Sequence, residues 1–422
     1  MWLGAVFCIL LILSSVSSSH AGRNSVAYIS DQTDLRVEVV ASNLVVPWSL
    51  AFAPDGRLFF TERLGRVRVI VEGQLQEEPA AQLNVAAVGE AGLLGLAIDP
   101  EFERNRHVYV YYSYQLALGG LWNRVARLSE ANNRLFNETI ILDGIPGAGI
   151  HDGGRIKFGP DGKLYITTGD AANAELSQDI NSLAGKILRI NKDGSIPLDN
   201  PFPNSSVYTL GHRNPQGIDW HPLTGKLFLS EHGSSAHDEV NIIEPGKNYG
   251  WPIVIGGAGD PRFTDPLLES GTTTWAPSGA SFYDGDLIPD WKGNFFIATL
   301  RGKHLRMVSL NPPNFDSVMM TEALFQDQYG RLRDVIQGPD GYLYISTSNR
   351  DGRGSPATDD DRILRIASVS ATTITQPTTT TIQPTTTVPT FAAPFRPELL
   401  LLTIAAIAIV LLVISFRRRP SG

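Results

Sequence analysis

The segment Ile156-Lys-Phe-Gly-Pro-Asp-Gly-Lys-Leu-Tyr-Ile166 decides the fold, because the same phrase returns along the chain. It reads as an apolar strand, a tight turn and a second strand in which apolar residues alternate. Proline presets φ for such a turn, and glycine accepts a positive φ because it has no Cβ atom to clash. Leu-Tyr-Ile alternation is typical of a β-strand. Two close copies are Leu50-Ala-Phe-Ala-Pro-Asp-Gly-Arg-Leu-Phe-Phe60 and Val335-Ile-Gln-Gly-Pro-Asp-Gly-Tyr-Leu-Tyr-Ile345.

Three looser copies bring the repeat to six. They are Leu96-Ala-Ile-Asp-Pro100 leading to Val108-Tyr-Val-Tyr-Tyr112, Ile218-Asp-Trp-His-Pro222 with Lys226-Leu-Phe-Leu229, and Ile288-Pro-Asp-Trp-Lys-Gly-Asn-Phe-Phe-Ile297. The turn prolines recur at about 45 to 70 residues, which is the scale of a four-stranded blade with loops. The later segments 65–70, 185–190 and 362–366 also alternate and complete blades. We therefore predict an all-β fold, a six-bladed β-propeller over residues 25–367; an array of β-sandwiches is the alternative.

The N-terminal segment resembles a secretory signal peptide. An apolar stretch from Leu3 to Leu13 is followed by small residues, which predicts a signal peptide over 1–22. An N-terminal membrane anchor is the alternative, although the apolar run is shorter than the roughly 20 residues that a span needs. The only cysteine, Cys8, lies in this segment, so a processed chain has neither disulfides nor a catalytic thiol.

The C-terminal segment has the features of a membrane anchor. Residues 368–394 are mostly Thr, Pro, Gln and Val, a composition typical of a disordered stalk. A nearly unbroken apolar run then ends at three arginines, which predicts a transmembrane helix over 397–416 and a cytoplasmic basic tail over 417–422. A cleaved sorting signal is the alternative. The predicted localisation is a single-pass cell-membrane protein whose large domain is extracellular or periplasmic.

The net charge of −8 is mild, and no Lys/Arg block precedes the C-terminus, so nucleic acid is an unexpected partner. Cations do occur in polar loops near strand ends: Arg213, Arg301, Lys303, Arg331 and Arg333. Arginine pairs bidentately with carboxylates, so these residues could form a receptor for a planar ligand with several carboxylates. The alternative is that some of them form salt bridges with loop acids such as Asp334.

Two further loop features point to chemistry. Asp238, with Glu231, Glu239 and the carbonyls of a Gly/Ser loop, could supply the oxygen ligands that calcium prefers. His151 follows a glycine-containing turn, so its imidazole could act as a base near neutral pH; a structural histidine is the alternative. Motifs for nicotinamide cofactors, serine hydrolases and zinc sites are absent from the sequence.

Together these phrases resemble the pyrroloquinoline-quinone-dependent soluble glucose and aldose sugar dehydrogenases, the glucose/sorbosone dehydrogenase family. The resemblance runs from about Val37 to Ile366. Six motifs carry it in order: Pro47-Trp48, Gly92-Leu-Leu-Gly95, His151 with Gly154-Arg155, Gly211-His-Arg-Asn-Pro-Gln-Gly217, Asp238-Glu-Val-Asn241 with Asn248-Tyr-Gly-Trp-Pro252, and Arg331-Leu-Arg-Asp334.

The resemblance implies a role for each matching position. His151 is expected to be the general base that takes the proton of the sugar C1 hydroxyl while hydride passes to the quinone, with Trp48 packing nearby. The expected cofactor-binding residues are Arg213, Asn214, Arg301, Arg331, Arg333 and Glu90. Calcium is expected on the carbonyl groups of Gly233 and Ser234 and the side chain of Asp238, with Tyr249 orienting that loop.

Three positions depart from the pattern of the glucose-oxidising members. His232 replaces an amide side chain and Arg301 replaces a lysine, as in the broader aldose branch. Ile150 replaces an acid before the histidine, which is expected to remove a polar partner that orients His151. The departure at Ile150 bears on turnover and substrate choice more than on cofactor binding.

Three functions follow from these predictions. The first is a calcium quinoprotein that oxidises aldoses at C1 to lactones and passes electrons to an external acceptor. The second is a cell-surface propeller that binds a ligand without redox activity. The third, a calcium-dependent sugar-lactone hydrolase, needs acidic metal ligands from several blades, which the sequence does not offer.

Overall fold

Six antiparallel sheets form the fold, and this confirms the predicted all-β six-bladed β-propeller. The computed structural model describes residues 28–29, 35–117 and 119–368. The chain enters through β1 (Tyr28–Ile29) and β2 (Leu35–Ala41), which belong to the last sheet. Five blades then follow one another along the chain before the sixth is reached.

Each of these blades begins with its innermost strand. The first three blades consist of β3 (Pro47–Phe52), β4 (Leu58–Glu62), β5 (Arg66–Val71), β6 (Gln74–Leu75) and β7 (Ala81–Gln82); β8 (Leu93–Ile98), β9 (His107–Gln115), β10 (Leu121–Ala131) and β11 (Arg134–Gly147); and β12 (Ile156–Phe158), β13 (Leu164–Thr168), β14 (Lys186–Ile190) and β15 (Val207–Leu210).

The next three blades repeat this order, and the sixth is completed by β2 and β1. They consist of β16 (Pro215–Trp220), β17 (Leu227–Glu231), β18 (Glu239–Ile243) and β19 (Leu268–Glu269); β20 (Pro277–Phe282), β21 (Phe295–Thr299), β22 (Leu305–Leu310) and β23 (Val318–Leu324); and β24 (Leu332–Gln337), β25 (Leu343–Thr347) and β26 (Ile363–Ser368). In the described residues, one four-residue α-helix, α1 (Phe102–Asn105), and two 3₁₀ turns, Ala174–Ser177 and Pro289–Trp291, are the only helical elements.

The first strands of the six blades surround the axis. Each of β3, β8, β12, β16, β20 and β24 contacts its counterpart in the next blade, and β24 contacts β3, so the ring is closed. Apolar clusters fill the space between neighbouring sheets; one of them joins Phe59 of the first blade to Val110 of the second. Both side chains are fully buried.

The repeated phrase corresponds to the first two strands of a blade and the turn between them. In the three Pro-Asp-Gly copies, Gly56, Gly162 and Gly341 have φ of +84°, +70° and +78°. A Cβ atom on Gly56 or Gly162 would meet no neighbour within 4 Å, so the need for glycine there is conformational. The copy at Ile288–Ile297 differs, because Ile288 precedes the 3₁₀ turn and the strand of that blade ends earlier, at Phe282.

An N-terminal strand closes the ring. β2 pairs antiparallel with β26, the last strand of the sixth blade, and Val37 lies opposite Ile366. Both side chains are buried in the same apolar cluster. Because the sixth sheet takes strands from both ends of the domain, separating the blades would break these hydrogen bonds.

The predicted localisation requires correction. A span needs about 20 apolar residues, and no helix within 28–29, 35–117 or 119–368 is long and apolar enough to cross a membrane. Within the described residues, the prediction of a single-pass membrane protein is therefore wrong. The predicted signal peptide (1–22), transmembrane helix (397–416) and basic tail (417–422) lie outside the described residues, as does the predicted stalk (368–394) except for Ser368, which ends β26.

Candidate active site

Loops at one end of the propeller surround a cavity of about 990 Å³. Antiparallel pairing puts the start of a blade's first strand and the end of its second strand at the same end. His151 and Arg213 precede first strands, whereas Asp238 follows a second strand, so the topology brings them together. The cavity wall contains eight of the predicted site residues: Glu90, His151, Arg213, Gly233, Asp238, Arg301, Arg331 and Arg333.

His151 is held by a carboxylate. Its Nδ1 lies 2.8 Å from Oδ1 of Asp170, and the Asp170 side chain is buried. Asp170 also accepts hydrogen bonds from the backbone N–H of Ala172 at 2.9 Å and from Nε1 of Trp251 at 2.9 Å. A carboxylate at Nδ1 favours the tautomer that carries its proton there, so Nε2 is left as the basic nitrogen.

Asp170 therefore compensates for the polar partner that His151 was predicted to lose because of Ile150. Ile150 is partly exposed on the cavity wall and contributes no polar group, but Asp170 supplies the polar partner of His151 from the end of β13. Sequence reasoning missed Asp170. Its only signal was a Gly-Asp pair after a strand, and the sequence did not show that this strand end faces the histidine loop.

Glu90 joins the histidine loop to the rim of the cavity. Its Oε2 accepts the backbone N–H of His151 at 3.3 Å, and its Oε1 lies 2.6 Å from Nη1 of Arg353. Burial opposes ionisation of Glu90, but the charges of Arg353 and Arg333 and the hydrogen bond from the His151 backbone prevail and lower its pKa. Glu90 is thus a carboxylate beside His151 at neutral pH.

Arg331 and Arg333 share one acid, Asp351. Oδ2 of Asp351 lies 2.8 Å from Arg331 and 3.4 Å from Arg333. The alternative that some of the cavity arginines form salt bridges is therefore confirmed for Arg331 and Arg333. The acid predicted for such a salt bridge, Asp334, is wrong, because Asp334 pairs with Arg155 at 2.9 Å. Burial lowers the pKa of Arg333 to about 10, which still leaves it charged at neutral pH.

The other cations have fewer partners. Arg301 and Lys303 are exposed at the rim. Arg213 donates a 3.3 Å hydrogen bond to the carbonyl of His232, and its guanidinium lies 5.4 Å from the Trp251 ring centre. The cationic residues on the wall are Arg63, Arg213, Arg301, Lys303, Arg331, Arg333 and Arg353, whereas the acidic ones are Glu90, Asp238 and Asp351. The cavity therefore carries an excess of positive charge.

Several buried side-chain nitrogens on or beside this wall have no hydrogen-bond partner among the described residues. On the wall they are Nε of Arg63, Nε of Arg213 and Nε2 of His232, and beside it lies Nδ2 of Asn214. Buried polar groups are nearly always hydrogen-bonded, so unpaired donors in a cationic cavity fit a ligand rich in anionic and carbonyl oxygens. Burial lowers the pKa of His232 to about 4, so its imidazole is neutral at neutral pH.

Asp238 accepts three backbone N–H groups, from Gly233 at 3.0 Å, Trp275 at 2.6 Å and Ala276 at 2.9 Å. These bonds fix the carboxylate next to the Gly233 loop. In the described ranges, no cluster of three or more His, Cys, Asp or Glu side chains could hold a metal ion. A cation here would therefore depend on one carboxylate and on backbone carbonyls, which are ligands that calcium accepts.

The two glutamates considered for calcium have other partners. Glu231 accepts hydrogen bonds from the backbone N–H of Arg213 and bonds Nδ1 of His212 at 2.8 Å. Glu239 accepts from Asn241 and from the backbone of Gly256. Burial raises the pKa of Glu239 to about 8, so this carboxyl is largely neutral at pH 7.

Three predicted residues are absent from the wall of the large cavity. Asn214 is buried and accepts the backbone N–H of Gly153 at 3.1 Å. Ser234 and Tyr249 line a second space of about 10 Å³, enough for about one water molecule. The Tyr249 hydroxyl donates to the carbonyl of Ile242 at 2.7 Å, and its ring stacks on His212.

The sequence profile described as Glucose / Sorbosone dehydrogenase matches residues 44–364. The chain belongs to this family. Among the family's relatives, the aldose sugar dehydrogenase YliI of Escherichia coli is 34% identical over 75% of this chain and 91% of its own length. Quinoprotein glucose dehydrogenase B of Acinetobacter calcoaceticus is 30% identical over 77% of this chain and 87% of its own length.

A solved structure of the same glucose/sorbosone dehydrogenase type contains the cofactor. The PQQ-bound aldose sugar dehydrogenase of Streptomyces coelicolor superposes with a TM-score of 0.71 at 36% identity, covering 79% of this chain and 98% of its own. These likenesses confirm the family resemblance drawn from the six motifs.

Proposed function

We propose that this chain is a quinoprotein sugar dehydrogenase that oxidises aldoses at C1 to lactones and passes the electrons to an external acceptor. The observation that carries the proposal is the His151–Asp170 pair on the wall of a cation-rich cavity. The family's sugar dehydrogenases and the PQQ-bound neighbour support it.

His151 has the geometry of a general base. Asp170 holds the ring through Nδ1, and Nε2 remains to accept the proton of the C1 hydroxyl. Asp170 also stabilises the imidazolium that forms as the proton arrives. Glu90, which bonds the backbone of His151, is suited to contact a sugar hydroxyl at the same end of the cavity.

The cationic residues are proposed to hold the cofactor. Arg331 and Arg333, oriented by Asp351, and Arg213, with its unpaired Nε, fit carboxylate and carbonyl oxygens. Asn214 and the rim residue Arg301 complete the proposed set. Bound pyrroloquinoline quinone supplies the two-electron acceptor for the oxidation.

Calcium is proposed at the Gly233 loop, on the carbonyl groups of Gly233 and Ser234 and the carboxylate of Asp238. The proposal is supported by the fixed orientation of Asp238, which accepts the N–H of Gly233 within the same loop. Tyr249 would act indirectly, because its hydroxyl bonds β18 and its ring supports His212.

A redox function is favoured over the ligand-binding propeller without redox activity. Two relatives that match over most of their own length, an aldose sugar dehydrogenase and a quinoprotein glucose dehydrogenase, are redox enzymes. This chain also retains both the arginines and a histidine–aspartate pair, which a pure binding module does not need. A binding role would not explain why His151 is held with one nitrogen available as a base.

Reconstitution tests the proposal. Purified full-length chain mixed with calcium and pyrroloquinoline quinone should reduce a dye when an aldose is added. The His151→Ala variant should lose roughly 10²- to 10⁴-fold in kcat, the usual contribution of a general base. His107→Ala is the matched control, because His107 begins β9 at the opposite end of its blade.

The possible failures separate the two parts of the proposal. A wild-type chain that takes up the quinone but oxidises no aldose would contradict the function. Full activity in the His151→Ala variant would leave the function standing and exclude His151 as the base.

A further inference from the structure

Asp152, the residue after His151, is a buried acid that the proposed mechanism does not use. It is 2% exposed. Its Oδ1 accepts hydrogen bonds from Nδ2 of Asn123 at 2.9 Å and from the backbone N–H of Ala148 at 3.0 Å. Its Oδ2 is buried without a hydrogen-bond partner among the described residues.

These bonds fasten the histidine loop to the second blade. Asn123 lies on β10, and its Oδ1 accepts from the hydroxyl of Ser113 on β9 at 2.6 Å. Tyr111, also on β9, donates its hydroxyl to the backbone carbonyl of Asp152 at 2.9 Å. Ser113, Asn123 and Tyr111 are fully buried, so a rigid surface holds Asp152 from two sides.

The loop needs such an anchor because its backbone is strained. His151 has φ of +62°, a left-handed conformation that is uncommon for a residue with a Cβ atom. Gly153 and Gly154, which follow, also have positive φ. A strained conformation persists only where the surroundings over-determine it, and the bonds of Asp152 lie immediately beside the strained residue.

We propose that Asp152 is a positioning residue: through the chain Ser113–Asn123–Asp152 it holds the His151 loop so that the imidazole stays within reach of Asp170. The inference rests on the proposed role of His151. The inference can nevertheless be tested in the protein without cofactor or sugar. Loss of the Asp152 acceptor should disturb the His151–Asp170 hydrogen bond under those conditions.

The titration of Asp152 gives the inference a pH dependence that can be measured. Burial raises the pKa of Asp152 to about 7, and the nearby charge of Glu90 acts in the same direction, whereas Asn123 and Ala148 oppose it. The other titratable groups next to it are His151 and Tyr111, whose hydroxyl bonds the Asp152 carbonyl. A raised folded pKa means that its stabilising contribution is complete below about pH 4 and is lost as the pH rises through about 7.

Two substitutions separate positioning from simple burial. Asp152→Asn keeps an oxygen acceptor for Asn123 and Ala148 and cannot ionise. Asp152→Ala removes the acceptor. In NMR spectra of the full chain without cofactor, the Asn variant should keep the His151 Nδ1 proton resonance, whereas the Ala variant should shift it or lose it to exchange.

Stability provides a second readout. Relative to wild type, Asp152→Asn should raise the thermal unfolding midpoint at pH 8.5 and change it little at pH 4.5. Asp99→Asn is the matched control: Asp99 is equally buried, lies beyond the far end of β8 and pairs with Lys192, which lowers its pKa. Its substitution should lower the midpoint at pH 8.5 and leave the His151 resonance unchanged.

In the reconstituted enzyme, Asp152→Ala should lower kcat at least tenfold with little change in KM, and Asp152→Asn should restore it. A folded Asp152→Ala chain with an unchanged His151 resonance would overturn the inference, and so would an Asn variant that fails to restore the resonance. Because the resonance is read without cofactor, an absence of sugar oxidation would count against the proposed function alone.

Discussion

At the scale of single residues, the hydrogen bond between His151 and Asp170 governs the proposed chemistry. Substituting Asp170 with Asn should lower kcat roughly 10²- to 10⁴-fold with little change in KM, because an amide can stabilise the wrong imidazole tautomer and cannot stabilise the imidazolium. Steady-state kinetics of the reconstituted enzyme measure both constants. Asp193→Asn, on an exposed turn, is the control, and a kcat near the wild-type value would contradict the assignment.

At the scale of single residues, the sequence predicts most of the proposed cofactor residues but not the acids that pair with them. Most residues that it proposed for the cofactor lie on one cavity wall, because each belongs to a loop motif at a strand end. Asp170 and Asp351 were missed because their importance comes from partners in other loops. Asp334 was expected to pair with a cavity arginine, yet it pairs with Arg155, which the sequence analysis had treated only as part of a motif.

At the scale of secondary-structure elements, β2 closes the ring of blades although it precedes the first blade in the sequence. Val37→Asp should lower the free energy of unfolding by about 3 kcal/mol or more, because it places a charge in the cluster that joins β2 to β26. Urea unfolding measures the change. The same substitution at Val88, which is 54% exposed, should change stability by less than about 1 kcal/mol; equal effects would show that β2 is not essential for closure.

The blades also show which elements a sequence predicts well. Pro-Asp-Gly turns were identified because proline and glycine impose the backbone conformation locally, as the positive φ of Gly162 illustrates. The turn of the fifth blade was misplaced because its Ile288-Pro segment mimics the phrase while forming a 3₁₀ turn. The pairing of β2 with β26 joins residues more than 300 positions apart, and no local pattern encodes it.

At the scale of the whole molecule, the distribution of charge matters more than its sum. The chain has a net charge of −8, yet the cavity wall has seven cationic and three acidic side chains. A cleft of one sign attracts an oppositely charged ligand and accelerates its binding, whereas the overall charge of the protein would repel an anion. Added salt distinguishes the two influences, because it weakens both. The association rate falls with salt if attraction by the cavity dominates, and it rises if repulsion by the overall charge dominates.

The association rate of pyrroloquinoline quinone with the apo protein should therefore fall about tenfold or more between 0.01 M and 0.15 M NaCl, as the screening length shortens from about 30 Å to about 8 Å. Stopped-flow tryptophan fluorescence would follow binding. Lys303→Gln, on the cavity wall, should slow association at low salt, whereas Lys292→Gln, an equal change of charge on the exposed turn of the fifth blade, should not. Equal slowing by both variants would show that overall charge, and not the cavity, controls the encounter.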